Sequence, residues 1–284
     1  MDLRSDARLY RDQRRLPDVS IHRLDGPVCA LLRKTAIDIV LPRFQSLAAH
    51  EIAEKAPGDI VTVADKESEA RLSEGLANLL PAARIVGEEA SSADPELLEG
   101  IDSGRVWLID PIDGTTNFSE GITPFALMIA LVVEGETEAG WIYDPVTLRM
   151  CHAHRGHGAF VDGKRIAAKG TGENLPVTAL GMHFLAIERR ADLEARAKGK
   201  LVIVPIPRCA GEQYPRLALG QNDISLFERA LPYDHAPGAL FLAEAGGKTA
   251  RPDGSAYCLS DRRPGLLSAA SPALWDLAAG ILFG

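Results

Sequence analysis

Between Leu24 and Ala49 the inward-type positions Val28, Leu31, Leu32, Thr35 and Ile39 recur at helical spacing, which predicts a long helix that Pro42 ends or kinks. Pro57-Gly58 punctuates the chain before a short β-rich run, Ile60-Val61-Thr62-Val63. Helical spacing returns over 65–80, with Leu72, Leu76, Leu79 and Leu80 on one face and Pro81 as the stop. Strand-like runs follow at Arg84-Ile85-Val86, Arg105 to Ile109, Phe125 to Val133, Glu138 to Tyr143 and Gly158 to Val161. Glu134-Gly135-Glu136 is the expected turn between the third and fourth of these, and Asp162-Gly163 is a hairpin signal. The second half predicts a strand at Leu201–Val204 and helices around Gly211–Leu219, His235–Ala245 and Pro272–Leu282, the middle one closed by Gly246-Gly247. Helices and strands interleave without a strict βαβ alternation, so the pattern predicts a mixed α/β fold of layered sheets rather than a barrel or a doubly wound sheet.

Composition narrows the classes. With 284 residues, 46% of them hydrophobic and 25% charged, the chain is too apolar for a disordered protein and long enough for one large domain or two lobes sharing a core. Lys and Arg number 31 against 39 Asp and Glu, a net charge of −8. Such a chain lacks the clustered cations that nucleic acid or an anionic membrane surface requires. The longest apolar run, Phe125 to Val133, is well short of the roughly 20 residues of a helical span. Residues 1–20 form a charged lead-in with no apolar core, unlike a secretory signal. Cys29, Cys151, Cys209 and Cys258 are far apart and form no CxxC pair, so the expectation is a reduced, cytoplasmic protein.

The chemistry concentrates in Trp107-Leu108-Ile109-Asp110-Pro111-Ile112-Asp113-Gly114-Thr115-Thr116-Asn117-Phe118. An apolar strand runs into two carboxylates three residues apart. Like charges held that close need a cation, and oxygen ligands suit a hard ion such as Mg²⁺. Gly114 permits close backbone approach, and a helical turn opening at Thr115 would aim free N–H groups at an anion such as phosphate. A solvated Asp-rich turn is the plain alternative. The segment lacks the ligand spacing of an EF-hand and the Asp-x-Asp of phosphatases with a nucleophilic aspartate. Two further apolar runs also feed carboxylates: Ile85-Val86 leads to Glu88-Glu89, and Val61 to Ala64 leads to Asp65. Asp234 opens an apolar helix, where an N-cap is its structural alternative.

Together these segments resemble the inositol monophosphatase family of Mg²⁺-dependent phosphomonoesterases. The matching stretches are Asp59 to Asp65, Gly87-Glu88-Glu89, Trp107 to Phe118, Gly158 to Gly163, and Tyr233-Asp234-His235-Ala236 through Glu244 to Gly247, over roughly residues 24–284. The resemblance implies a layered αβαβα sandwich of the inositol monophosphatase and fructose-1,6-bisphosphatase type. It implies one domain over 21–284 in two lobes, about 21–165 and 166–284, with the metal site between them. Glu88, Asp110 and the Ile112 carbonyl would hold one Mg²⁺; Asp110, Asp113 and Asp234 would hold a second, within a site of two or three ions. Gly114 and Thr115 would receive the phosphate. Thr115 and Glu88 would position and deprotonate the attacking water, with Asp65 behind Thr115. The resemblance further implies hydrolysis of a small phosphorylated metabolite, sensitivity to Li⁺ and a homodimer.

Departures from the family bear on the substrate. Arg208-Cys209-Ala210 stands where relatives carry a Gly-Ser-type segment facing the substrate, so Arg208 replaces a small residue. Phe227, with Glu228 beside it, stands where inositol-specific members have a glutamate that grips sugar hydroxyls. Both changes weigh against inositol monophosphate itself; the resemblance implies an inositol-1-monophosphatase-like hydrolase, with a relative acting on histidinol phosphate, a sugar phosphate or a 3′-phosphonucleotide as the alternative. A non-catalytic binding protein retaining the fold is the alternative from another class; the complete set of acidic residues argues against it. Lys55 lies near a family lysine close to the metals, with imperfect spacing, and Glu89 reads as a surface residue. His235 reads as a residue of a helix first turn. Cys151 to His157 alternates as a strand edge and hairpin with His152, His154 and His157 solvated, against a transition-metal reading. Glu188 to Lys200 reads as a solvated face.

Overall fold

The longest apolar run becomes a strand buried on both faces. In the computed structural model, which describes residues 22–56, 58–182 and 185–284, that strand is β5 (Ala126–Val133). Its companions are β3 (Arg84–Gly87), β4 (Arg105–Asp113), β6 (Glu136–Asp144), β7 (Arg149–His154), β8 (Gly158–Val161) and β9 (Lys164–Ile166). They form a seven-stranded sheet in chain order, β3 parallel to β4 and the rest antiparallel. Because side chains alternate across a strand, Leu127, Ile129 and Leu131 join the core under α1 (His22–Thr35) and α2 (Val63–Leu79). Ala126 and Met128 meet α6 (Ala210–Ala218) and α7 (Pro232–Ala245) on the other face.

A second sheet lies beyond α6 and α7. Its strands are β10 (Val177–Leu180), β11 (Val202–Val204), β12 (Ile224–Phe227), β13 (Lys248–Ala250) and β14 (Leu266–Ala269), in the order β11-β10-β12-β14-β13. Its outer face buries Leu193 and Ala197 of α5 (Ile187–Ala197) and Trp275, Ala278 and Leu282 of α8 (Pro272–Leu282). The stack is αβαβα, each apolar face covered by the next layer. A small hairpin, β1 (Ile52–Ala56) with β2 (Asp59–Thr62), leads into α2. Short helices α3 (Glu88–Ala93) and α4 (Thr115–Ser119) follow β3 and β4.

Several expectations shift. The first helix ends at Thr35 and one π-helical turn, Ala36–Val40, carries the chain to Pro42, so it never reaches Ala49. Glu136 belongs to β6, so only Glu134 and Gly135 make the turn. α7 begins at Pro232, three residues before the expected start, because proline at the first helical position loses no hydrogen bond. The stretch read as a solvated face does keep such a face, on helix α5, which is anchored by the buried Leu193 and Ala197. β7 is an interior strand between β6 and β8, not an edge, and His154 is only 1% exposed. The residues 1–20 lie outside the described residues. Among the described residues no helix is long and apolar enough to cross a membrane.

Candidate active site

Each acidic residue of interest stands where one element hands over to the next. Asp65 is the third residue of α2, and Thr62 caps that helix: the Thr62 hydroxyl accepts from Ala64 N–H at 3.2 Å, while Asp65 Oδ2 accepts from Thr62 N–H at 2.8 Å and from its hydroxyl at 2.6 Å. The other Asp65 oxygen lies 3.2 Å from Thr115 Oγ1. A residue needed to start a helix thus also reaches the strand end across the site. Burial pushes the Asp65 carboxyl up to about 7, against the lowering effect of the Thr62 bonds.

Asp110 and Asp113 are an odd number of residues apart, so a regular strand would send them to opposite faces. The β4–β5 ladder slips between them: Asp110 pairs with Met128 and Asp113 with Ala126, so two residues of β4, Pro111 and Ile112, oppose Leu127 alone. This bulge restores the parity, and proline fits it because it has no N–H to lose. Both aspartates then line one cavity with Glu88 and Asp234. Gly114 follows at φ +88°, in the left-handed region, and a Cβ there would lie 3.0 Å from the Pro124 carbonyl oxygen. It turns the chain into α4, and Gly114, Thr115 and Thr116 line the same cavity. Thr115 Oγ1 also lies 2.9 Å from Ile112 O.

Glu88 opens α3. Gly87 before it has no side chain because the Glu69 carboxylate occupies that space: a Cβ would sit 2.2 Å from Glu69 Cδ. Glu69 accepts from Glu89 N–H at 2.7 Å and Ala90 N–H at 2.9 Å, capping the turn that carries Glu88. Asp234 is the third residue of α7 and Leu231 its N-cap, so the capping role considered for Asp234 does not arise. Asp113 Oδ2 accepts from Gly211 N–H at 2.6 Å, near the start of α6, and Cys209 Sγ contacts the Asp113 carbonyl at 3.5 Å.

The result is a crowded anionic site. Ligand atoms of Glu88, Asp110 and Asp234 all lie within 4.8 Å of one another. Asp110 Oδ1 is buried with no hydrogen-bond partner. Burial and then the neighbouring carboxylates drive Asp110 well above the ordinary carboxylate range; Asp234 is raised by burial and by Glu88 and Asp113, partly offset by Arg229. Asp113 is pushed up to about 6 by burial, less far because Gly211 N–H stabilises its charge. An all-oxygen donor set with an orphaned buried carboxylate oxygen fits a hard divalent cation.

Two neighbours correct the sequence reading. Glu89 is not a surface residue: Lys55 Nζ sits 2.9 Å from Glu88 and 3.0 Å from Glu89, and burial, then Glu88, pushes the Glu89 carboxyl up to about 7. The Lys55 pKa is raised; burial alone would lower it, but the two glutamates outweigh burial. Glu69 was missed altogether, although its place one turn after Asp65 on α2 was a usable signal. His235 lies in the first turn of α7 and bridges Tyr214 Oη, 3.0 Å from Nδ1, to the Arg229 carbonyl, 2.9 Å from Nε2. Phe227 is stacked on Tyr214 with ring centroids 5.2 Å apart. Arg208, Cys209, Ala210, Phe227 and Glu228 all line the cavity, and Arg208 is exposed with φ +56°. Arg229, which the sequence reading passed over, lines it too.

The sequence model of the inositol monophosphatase family matches residues 23–282. The inositol-1-monophosphatase of Bacillus subtilis (strain 168) is 33% identical over 200 residues, 67% of this chain and 72% of the relative. The Nus factor SuhB of Escherichia coli (strain K12) is 32% identical over 224 residues, 75% of this chain and 80% of the relative. Among solved structures, the extragenic suppressor protein suhB from Bartonella henselae superposes with a TM-score of 0.77 at 24% identity, over 91% of this chain and 97% of that one, a likeness of fold.

Proposed function

This chain belongs to the inositol monophosphatase family, and on that premise we propose that it is a Mg²⁺-dependent phosphatase hydrolysing the monoester of a small phosphorylated metabolite. The observation that carries the reading is the buried, partnerless Asp110 Oδ1 among carboxylates that share a cavity with Gly114 and Thr115. Glu88, Asp110 and the Ile112 carbonyl would hold one ion, and Asp110, Asp113 and Asp234 another. Bound there, Mg²⁺ neutralises the charge of the phosphoryl group and acidifies water.

The chain's own groups do the rest. The Thr115 hydroxyl has a single hydrogen, directed at Ile112 O or Asp65 Oδ1, so its lone pairs accept a hydrogen bond from the attacking water. Glu88 takes the proton of that water, and Lys55 holds the Glu88 carboxylate in place. N–H groups in the first turn of a helix lack intrahelical partners, so those of α4 face the phosphate oxygens from the cavity wall. Orientation and charge neutralisation supply most of the catalysis of phosphoryl transfer.

The substrate carries a further anionic or planar group. Phe227 offers no hydrogen bond to a polyol, and hydroxyls left unpaired cost binding energy. Arg208 at the cavity wall can hold an anion in a bidentate manner. The enzyme works in the cytoplasm as a homodimer, its cavity lying between two lobes, and is inhibited by millimolar Li⁺ at low Mg²⁺. The family relative named as a Nus factor makes a non-catalytic role the competing reading. A phosphate-release screen over small phosphomonoesters with Mg²⁺ separates the two. The expected outcome is Mg²⁺-dependent turnover, with inositol 1-phosphate outperformed by a more highly charged or ring-bearing ester. No release from any ester, with Mg²⁺ bound, would leave the non-catalytic reading.

A further inference from the structure

A second cluster of metal-ligating side chains lies away from the carboxylate cavity, between α1 and the seven-stranded sheet. His152 and His154 are two residues apart on β7 and so face the same side, toward α1, while Cys151 and Ala153 between and before them enter the opposite core. Asp25, in the first turn of α1, meets them there. Asp25 Oδ1 lies 2.6 Å from His154 Nε2 and 3.5 Å from His152 Nδ1, and ligand atoms of all three residues fall within 4.8 Å of one another.

We propose that Asp25, His152 and His154 form a transition-metal site that takes a borderline divalent ion such as Zn²⁺ and fastens α1 to the sheet. Zinc bonds of about 2.0–2.1 Å to nitrogen and oxygen set tetrahedral ligand–ligand separations of roughly 3.3 Å. The His152–Asp25 separation already has that length, and the His154–Asp25 pair has to open by less than an ångström, exchanging its hydrogen bond for two metal bonds. Imidazole donors favour Zn²⁺, Co²⁺ or Ni²⁺ over Mg²⁺, so this site and the carboxylate cavity select different ions.

The surroundings hold the ligands in place, as outer partners do in metal sites. Trp141 Nε1–H donates to Asp25 Oδ1 at 2.9 Å. The His152 ring stacks on Phe160, centroids 5.1 Å apart and planes within 10°, and the His154 ring meets the Trp141 edge-to-face at 5.7 Å. Burial would raise the Asp25 carboxyl, but His154, His152 and Trp141 outweigh it and hold it below the ordinary range. The side chain of His152 is 14% exposed and that of Asp25 26%, while that of His154 is 1% exposed.

The test is calorimetric titration of the metal-free protein with Zn²⁺ in saturating Mg²⁺, alongside the visible absorption of bound Co²⁺. Wild type is expected to bind one more equivalent than His152→Phe, which keeps the ring stack and removes the ligand, and than Asp25→Asn, which keeps an acceptor for Trp141. Zn²⁺ is expected to raise the Tm of wild type and not of either variant. Asp110→Asn is expected to retain the extra equivalent, and His152→Phe to retain Mg²⁺-dependent phosphatase activity. Equal stoichiometry in wild type and both variants, or loss of the extra equivalent in Asp110→Asn, would overturn the proposal. Neither result bears on the phosphatase reading, which rests on the other cavity.

Discussion

Asp110 and Asp223 are both buried carboxylates, 2% and 3% exposed, in opposite circumstances. Asp223 stands just before β12 with its oxygens supplied: Thr171 N–H and Val177 N–H each donate at 2.8 Å, and the Thr171 hydroxyl donates as well. Those bonds tie the segment entering β10 to the neighbouring strand. Asp110 has an oxygen with no donor and three other carboxylates for company. Burying a charge is costly unless its hydrogen bonds and counter-charges are provided. At Asp223 the chain itself provides the donors, so the residue is structural. At Asp110 the chain withholds them, and the proposed Mg²⁺ would supply the missing counter-charge.

Substitutions that exchange these circumstances test the contrast. Asp110→Asn is expected to lower kcat by at least about 10³-fold at saturating Mg²⁺, several kcal/mol of transition-state stabilisation. The same change is expected to leave the Tm in chelator equal to or above that of wild type, because a neutral amide relieves repulsion. Steady-state kinetics and thermal melts with and without chelator read the two effects, and a Tm drop as large as that of a core mutant would show that Asp110 is structural. Asp223→Ala is expected to do the reverse, costing about 3 kcal/mol of stability for stranded donors while kcat at low temperature is unchanged. Denaturant melts give the first number, and a matching loss of kcat would erase the distinction between the two residues.

Thr115→Ala is expected to reduce kcat about 10²-fold, the scale of misplacing a reacting group, and to preserve the Tm increase produced by Mg²⁺. Loss of that increase would make Thr115 part of the metal-holding set instead. The smallest effect is expected from Arg208→Ala, a rise of about tenfold in KM for the best substrate, the value of one charge-assisted contact. Inositol 1-phosphate should be nearly unaffected. Equal changes for both substrates would take Arg208 out of substrate selection.

Much of the fold was legible because its signals are local. The β5 run reads as a strand from its own side chains, and α8 from Pro272 and the apolar stretch after it. α5 was legible only as a solvated run, because only Leu193 and Ala197 of its eleven residues are buried, too few to mark an apolar face. β10, β12 and β14 are four residues each, buried on arrival in a sheet rather than patterned in advance. β7 was taken for an edge because its alternation is that of a half-covered strand; α1 supplies the missing cover over His152 and His154.

In the site, residue types and positions were readable one at a time. An apolar strand that runs into a carboxylate is written within half a dozen residues, which picks out Asp65, Glu88, Asp110 and Asp113, and Asp234 is marked by the apolar helix it opens. Their convergence could not. The parity of Asp110 and Asp113 depends on a slip against Met128 and Ala126 in the neighbouring strand. Thr115 meets Asp65 across 50 residues, Lys55 meets Glu88 across 33, and Asp113 meets Gly211 across 98. Local preferences act through steric and hydrogen-bonding forces that reach a few residues and are encoded there. Which distant segments share a cavity, and so which carboxylates are saturated and which are left without a donor, is settled by strand register and layer packing, where many weak contacts across the chain act together.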